Sequence, residues 1–284
     1  MAVLGVSSQL GVPLVLALSK AGHQVSGISR ATTARAPCDI HVYDPDTHKF
    51  KPPLAGVTAI ISLAPLPNIP DVLDIATALH ATRIIAFGST GVFSKETSTS
   101  DIERRFVRDQ LNAERLLARN SQERQINWTL FRPTMIYGAD ADQNVTFISN
   151  VIRKCGFFPI PIGANGLRQP VHVNDLATAC VAAIDRPATF NRAYNLGGGE
   201  TIRYSEMVRR ISRAAGRRSI ILPVPRFLYR WIVGLLKFLP GLDYIRVEMI
   251  DRMFVDLIAD NTQAHDDFGF QPHPFQPERV VRLE

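Results

Sequence analysis

The stretch 2–22 constrains this chain most. Ala2-Val3-Leu4 is a short apolar run, Gly5-Val6-Ser7-Ser8-Gln9-Leu10-Gly11 follows it, and Leu14, Leu18 and Ala21 then recur at helical spacing. Pro13 falls in the first helical turn, where no N–H donor is needed, and Gly22 supplies a stop. A buried strand, a tight turn and a helix in so short a span must fold back on one another. That geometry is the opening half of a parallel strand–helix–strand unit.

The same rhythm continues. Apolar runs at 23–30, 40–43, 57–63, 83–87 and 128–131 alternate with helix-like stretches at 72–80 and 106–119, which predicts an α/β fold with a parallel, doubly wound sheet. Such sheets bind ligands beyond the carboxyl ends of their strands, where the strand order reverses, so the loops after Leu4, Arg30, Leu63, Phe87 and Phe131 are the places to look. After Gly138 the pattern changes to a helix-like 145–154, a Gly/Pro-rich 156–166, a helix-like 173–184 and a strand at 193–196 before Gly197-Gly198-Gly199. The segments 220–224 and 227–239 read as a smaller cap. With 284 residues and 46% hydrophobic composition, one main core and a lobe sharing a wall with it fit the chain. The expected division is 1–138 with 170–198 for the sheet domain, and 139–169 with 199–282 for the lobe. Leu283-Glu284 reads as a cloning scar and is set aside.

Cys38, Cys155 and Cys180 are odd in number, widely spaced and without a CxxC partner, which indicates a reducing compartment and no metal site. The apolar run at 2–4 has no basic region before it, so a cytoplasmic location is expected. A net charge of +6 favours anionic partners such as nucleotides, phosphates or a lipid surface. No aromatic interleaving or nucleic-acid motif accompanies it, so no nucleic-acid partner is expected.

Several separated signatures then agree. The glycine loop, Phe87-Gly88-Ser89-Thr90-Gly91-Val92-Phe93, Phe131-Arg132-Pro133-Thr134-Met135-Ile136-Tyr137-Gly138, Arg168-Gln169-Pro170-Val171-His172-Val173-Asn174-Asp175 and Tyr194-Asn195-Leu196-Gly197-Gly198-Gly199 resemble, in this order, the extended short-chain dehydrogenase/reductases, which include nucleotide-sugar epimerases, dehydratases and reductases. The resemblance covers about three-quarters of the chain and implies a Rossmann-type fold with a dinucleotide. Its cofactor residues would be Gly5, Ser7, Ser8, Gln9, Leu10, Gly11, Arg30, Leu63, Ala64, Gln110 and Pro133. Gly5 permits the turn and Gly11 the close helix packing, while Ser8 replaces the middle glycine of GxxGxxG. NAD-specific relatives place a carboxylate about 20 residues past the loop. Arg30 stands there instead and can pair with the extra phosphate of NADP, so NADP(H) is expected over NAD(H); a solvated arginine at a strand end also accounts for it.

The resemblance assigns Ser89 to orienting the substrate. The helix motif YxxxKxxAE, however, aligns with Phe106-Val107-Arg108-Asp109-Gln110-Leu111-Asn112-Ala113-Glu114. Phe106 has no ionisable proton, and Gln110 has no charge to depress a phenol from about 10 toward neutrality. Gln110 can still hydrogen-bond a ribose. Thr90-Gly91 replaces the Asp-Glu pair that a 4,6-dehydratase needs. Lys95, Glu96, Arg108 and Asp109 are the nearby charges that can replace the relay, although charges on helices and loops are more often solvated surface.

On the substrate side the resemblance places Ser89, Thr90, Thr134, Asn144 and Arg168, the last as a guanidinium for a substrate diphosphate. A loop salt bridge is the competing account of Arg168. The apolar 226–239 segment, with Arg226, Arg230 and Lys237, is too short to cross a bilayer and reads as cap core or as a helix on a membrane surface. Two readings of function follow. One is an NADP(H)-linked enzyme on a nucleotide sugar or similar carbonyl or hydroxyl compound; the other is a catalytically silent dinucleotide-binding sensor, assembly factor or membrane-peripheral subunit. The resemblance also implies a homodimer through the 106–119 helix.

Overall fold

A computed structural model describes residues 1–29, 36–44, 47, 49–51, 53–138, 142, 144–216, 220–236 and 248–277. Arg30, 237–239 and 283–284, named above, lie outside these. Eight strands, β1 (Ala2–Leu4), β2 (Ser26–Ser29), β3 (Asp39–Asp44), β4 (Lys49–Lys51), β5 (Ala59–Ser62), β6 (Arg83–Phe87), β7 (Asn127–Pro133) and β8 (Arg192–Leu196), form one sheet. Its order is β8-β7-β6-β5-β1-β2-β3-β4, parallel throughout except for the β3–β4 pair. The order reverses between β1 and β5, where Val3 pairs with both Gly27 and Ile61. Doubly wound sheets form their ligand crevice beyond the strand ends at such a point.

The helices of seven or more residues are α1 (Gly11–Lys20), α2 (Ile69–Ala78), α3 (Asp101–Glu123), α4 (Val145–Cys155), α5 (Val173–Ile184), α6 (Tyr204–Ala214), α7 (Arg226–Leu236) and α8 (Thr262–Phe268). Successive strand residues point to opposite faces, so Val3 joins Leu14, Ile61, Phe131, Leu176 and Phe268 under α1, α5 and α8. Ala2 joins Ile60, Leu73, Ile84 and Leu117 under α2 and α3. The central strands are covered on both faces, which explains their unbroken apolar runs. A separate core, with Tyr137, Ile148, Ile152, Phe158, Met207 and Phe275, lies in the smaller lobe around α4 and α6.

Where elements differ from the sequence pattern, local bonding gives the reason. β2 starts at Ser26 rather than at 23, because the His23 N–H still closes α1 on the Leu18 carbonyl and Gly22 takes φ +88°. α3 runs well beyond 106–119, because its polar outer turns carry no apolar period. The edge strand β4 is only Lys-Phe-Lys, with Phe50 packed on Tyr43 at 5.3 Å. Within the Gly/Pro-rich 156–166, Phe157–Pro161 pairs in parallel with Ile220–Val224, a two-stranded ladder that proline tolerates at its edges.

Two joints fix the layers. Buried Arg83 on β6 donates from Nε to the Ile184 carbonyl (2.9 Å) and from Nη2 to the Ala183 carbonyl (3.1 Å), Thr129 Oγ1 (2.6 Å) and Thr189 Oγ1 (3.0 Å). It thereby satisfies the carbonyls that end α5, and burial pulls its pKa down to about 10. Residues 270–277 form a strap. The Gly199 N–H donates to the His273 carbonyl (3.0 Å), and a Cβ at Gly199 would lie 2.1 Å from the Pro272 carbonyl oxygen. Phe275 is buried edge-on to Tyr137 at 4.9 Å, and the Gln276 N–H donates to Tyr137 Oη (3.2 Å).

Candidate functional site

The glycine loop joins β1 to α1 at the switch point. Gly5 takes φ +77°, and its N–H donates to the Ile28 carbonyl (3.1 Å). A Cβ there would lie 3.2 Å from the Ala64 nitrogen and from the Leu63 carbonyl carbon, so Leu63 and Ala64 form the opposite wall. At Gly11 a Cβ would lie 1.8 Å from the Val6 carbonyl oxygen. Only glycine lets α1 enter at this angle. The Ser8 N–H closes on the Gly5 carbonyl (2.9 Å) and the Gly11 N–H on the Ser8 carbonyl (2.9 Å), while Leu10 is buried and Ser7 and Ser8 face solvent.

Gln110 and Gln9 carry buried polar atoms without a hydrogen-bond partner among the described residues, Oε1 and Nε2 respectively. An orphaned buried amide costs about 1–3 kcal/mol unless something pairs with it. Gln110 lies on the buried stripe of α3 with Val107, Ala113 and Leu117, and its Oε1 would be 3.6 Å from a Cβ on Gly88, just past β6. The oxygen therefore faces the sheet end where a ribose hydroxyl can donate to it. With the glycine cradle beside Leu63 and Ala64, these residues fit a dinucleotide.

Next to the crevice, between sheet and lobe, lies a cavity of about 660 Å³. Ser89, Thr90, Thr134, Asn144 and Arg168, drawn from distant parts of the sequence, all line it. Ser89 Oγ accepts from the Gly91 N–H (3.0 Å), which leaves the hydroxyl hydrogen for a ligand. Thr90 donates from N (3.1 Å) and Oγ1 (3.2 Å) to the Pro133 carbonyl, tying β6's loop to the end of β7. Thr134 Oγ1 donates to the Gln169 carbonyl.

Arg168 is placed differently from a free phosphate ligand. It is 5% exposed, and its guanidinium donates from Nη1 to the Leu167 (2.6 Å) and Val255 (2.9 Å) carbonyls and from Nη2 to the Arg252 carbonyl (2.6 Å). Three of the five N–H groups of an arginine are thus committed to backbone. The Tyr204 ring lies under the guanidinium at 5.4 Å, and burial lowers the Arg168 pKa to about 10.

Of the charges near Phe106 and Gln110, Glu96, Arg108 and Asp109 are exposed, whereas Lys95 is half-buried and lines the cavity. Its Nζ lies 4.1 Å from the centre of the Phe106 ring. Among the others singled out, His172 accepts from the Asn174 N–H at the start of α5 (3.2 Å), and Cys180 is wholly buried. On α6, Arg210 pairs with Glu200 (2.7 Å), and Arg209 (3.5 Å) and Arg213 (3.8 Å) both approach Glu206. On α7, Tyr229 is buried, but Phe227 and Trp231 are each 72% exposed. Among the described residues no helix is long and apolar enough to cross a membrane, and no cluster of three His, Cys, Asp or Glu side chains could hold a metal.

The chain is 25% identical to a UDP-glucose 4-epimerase of Vibrio cholerae, across 56% of this chain and 46% of that protein. It is 24% identical to NADH dehydrogenase [ubiquinone] 1 alpha subcomplex subunit 9 of Rattus norvegicus, across 54% of this chain and 41% of the relative. Each match thus spans less than half of the relative. A crystal structure of UDP-galactose 4-epimerase superimposes with a TM-score of 0.73 at 15% identity, covering 98% of this chain and 95% of that one, which shows a shared fold. Residues 1–197 match the NAD dependent epimerase/dehydratase family along most of the chain, and it is to this family that the chain belongs.

Proposed function

We propose that the chain is an epimerase- or reductase-type oxidoreductase. In this reading it binds a nicotinamide dinucleotide in the β1/β5 crevice and a nucleotide sugar or similar carbonyl or hydroxyl compound beside Ser89. The observation that carries the reading is the 660 Å³ cavity reached by Ser89, Thr90, Thr134 and Asn144. The chamber is mostly apolar with a few converging polar groups, the composition of a small-molecule site, and a purely structural role gives no physical need for one at that place. The bound dinucleotide would supply hydride chemistry. The chain's own residues would do the rest: Gly5 and Gly11 shape the cradle, Ser7, Gln9 and Leu10 offer N–H groups to the pyrophosphate, Gln110 accepts from a ribose hydroxyl and Ser89 donates to the substrate oxygen. Arg30 is the basis for expecting NADP(H) ahead of NAD(H). The division at 138, 170 and 198 and a homodimer through α3 belong to the same reading.

A second reading, a catalytically silent subunit, draws on Phe106 and Gln110 and on the relative named as a subunit of NADH dehydrogenase. The exposed Phe227 and Trp231 on α7 would give such a subunit a contact with a membrane surface. Fluorescence titration should show NADPH binding about 10-fold more tightly than NADH, and NADPH or NADP+ should support turnover in a panel of UDP- and dTDP-sugars. Equal affinities would defeat the NADP(H) preference. Tight binding without turnover, with turnover gained in Phe106→Tyr/Gln110→Lys, would favour the silent reading. Failure to sediment with anionic vesicles would remove the membrane contact.

A further inference from the structure

The cavity contains a group that can take over the lost proton chemistry. A Cβ built on Gly91 would lie 3.0 Å from Ser89 Oγ, 3.4 Å from Phe106 Cε1 and 3.7 Å from Lys95 Cε. Ser89, the ring that replaces the family tyrosine and the lysine side chain therefore meet around one point on the cavity wall. Among the described residues no carboxylate pairs with the Lys95 ammonium. Glu103, the acid whose charge acts on Lys95, is 13% exposed and engaged by Arg252 at 3.3 Å. What Lys95 has instead is the face of Phe106. A cation on an aromatic face keeps its position without a hydrogen bond, so all three N–H donors remain available to a ligand.

We propose that Lys95 is the proton donor of this cavity, and that its Nζ delivers the proton to a carbonyl oxygen held by Ser89. This rests on the oxidoreductase reading above. The balance is simple. A carbonyl carbon receives a hydride from a reduced nicotinamide dinucleotide, which is oxidised by two electrons; the carbonyl π pair takes a proton from the Lys95 ammonium, and an alcohol forms. Lys95 is left as the neutral amine and regains a proton from water at the cavity mouth. Phe106 keeps a positioning role, as the platform on which the ammonium rests.

The electrostatics favour this chemistry. Burial lowers the pKa of Lys95 below the ordinary lysine value; Arg252 pushes the same way and Glu103 opposes it. A lysine made more acidic is a better general acid near neutral pH. These are the charged groups around it from the packed elements: Glu103 on α3 and Arg252 from the lobe.

Two measurements test the assignment. In the unliganded protein, competitive acetylation across pH, read by peptide mass, should give Lys95 a midpoint below the ordinary lysine value. Arg252→Gln should raise that midpoint, because it removes a cation and frees Glu103. An ordinary midpoint in the wild type, or no shift in Arg252→Gln, overturns the assignment. In NADPH-dependent carbonyl reduction, Lys95→Arg keeps the charge but cannot release a proton at neutral pH, so kcat should fall at least 100-fold with KM nearly unchanged. The alkaline limb of the wild-type rate should move up in Arg252→Gln together with the acetylation midpoint. Unchanged kcat in Lys95→Arg, or NADPH binding with no carbonyl in the panel reduced, overturns the proton-donor role and leaves the dinucleotide site standing. Absence of NADPH binding overturns the oxidoreductase reading on which the assignment rests.

Discussion

The crevice beside Gly5 is shaped by backbone, whereas the cavity beside Ser89 is shaped by side chains drawn from the sheet and the lobe. In the crevice the critical distances are those of absent Cβ atoms: 1.8 Å to the Val6 carbonyl at Gly11 and 3.2 Å to Ala64 at Gly5. In the cavity they belong to long side chains, with Arg168 holding the carbonyls of 167, 252 and 255 and Lys95 resting on Phe106. The difference predicts opposite sensitivities. Adding atoms harms the first region and removing them harms the second.

The largest effect should come from Arg168→Ala. It strands three carbonyls that the guanidinium now pairs, and a loss of about 4 kcal/mol is expected, comparable with breaking a buried charged network. Urea denaturation should detect it as a lower midpoint or an early transition of the lobe. A variant as stable as the wild type would mean that the guanidinium is free for a ligand phosphate. Gly11→Ala comes next. The methyl group must displace α1 from the Val6 carbonyl, at about 3 kcal/mol of stability by overpacking, and NADPH affinity should fall with it. Intact affinity in a folded Gly11→Ala protein would break the contrast between the two regions.

The smallest effect tests a joint that belongs to neither. His273 Nδ1 lies 2.6 Å from Asp175 Oδ1, and that hydrogen bond raises the histidine pKa above 6.5. A group whose folded pKa is raised contributes fully below its unfolded pKa, and the contribution is lost as pH rises through the folded value. The stability difference between wild type and His273→Gln should therefore be largest in mild acid and shrink above neutrality. The imidazole is 83% exposed, so solvent screening keeps the effect small. A difference independent of pH would reassign the pair to a purely structural role.

The backbone-built region was the more legible one in the sequence. Gly5 and Gly11 announce themselves because their steric requirement is local: a turn with positive φ and a helix entering against the preceding strand. The alternation of apolar runs likewise foretold a parallel sheet, since strands covered on both faces cannot alternate with polar residues. The side-chain-built region was half legible. The residues lining the cavity could be named, yet nothing in the sequence says that the carbonyls of Arg252 and Val255, more than 80 residues away, would occupy Arg168. Lys95, Glu96, Arg108 and Asp109 are equivalent as letters. Only the packing of α3 separates the lysine in the cavity from the three exposed charges. The edge strand β4 escaped for another reason: Lys-Phe-Lys is too short to carry a period.

The strap has a consequence in time. Gln276 reaches Tyr137 across 139 residues, and Phe275 fills the core of the smaller lobe from the same segment. Loop-closure entropy must be met before such a contact returns any energy. The sheet's neighbouring strands can pair early, while the lobe's core stays open until the strap arrives. During refolding, burial of the lobe's aromatic residues should therefore lag behind formation of the sheet, and the cavity between them should be the last part of the molecule to acquire its shape.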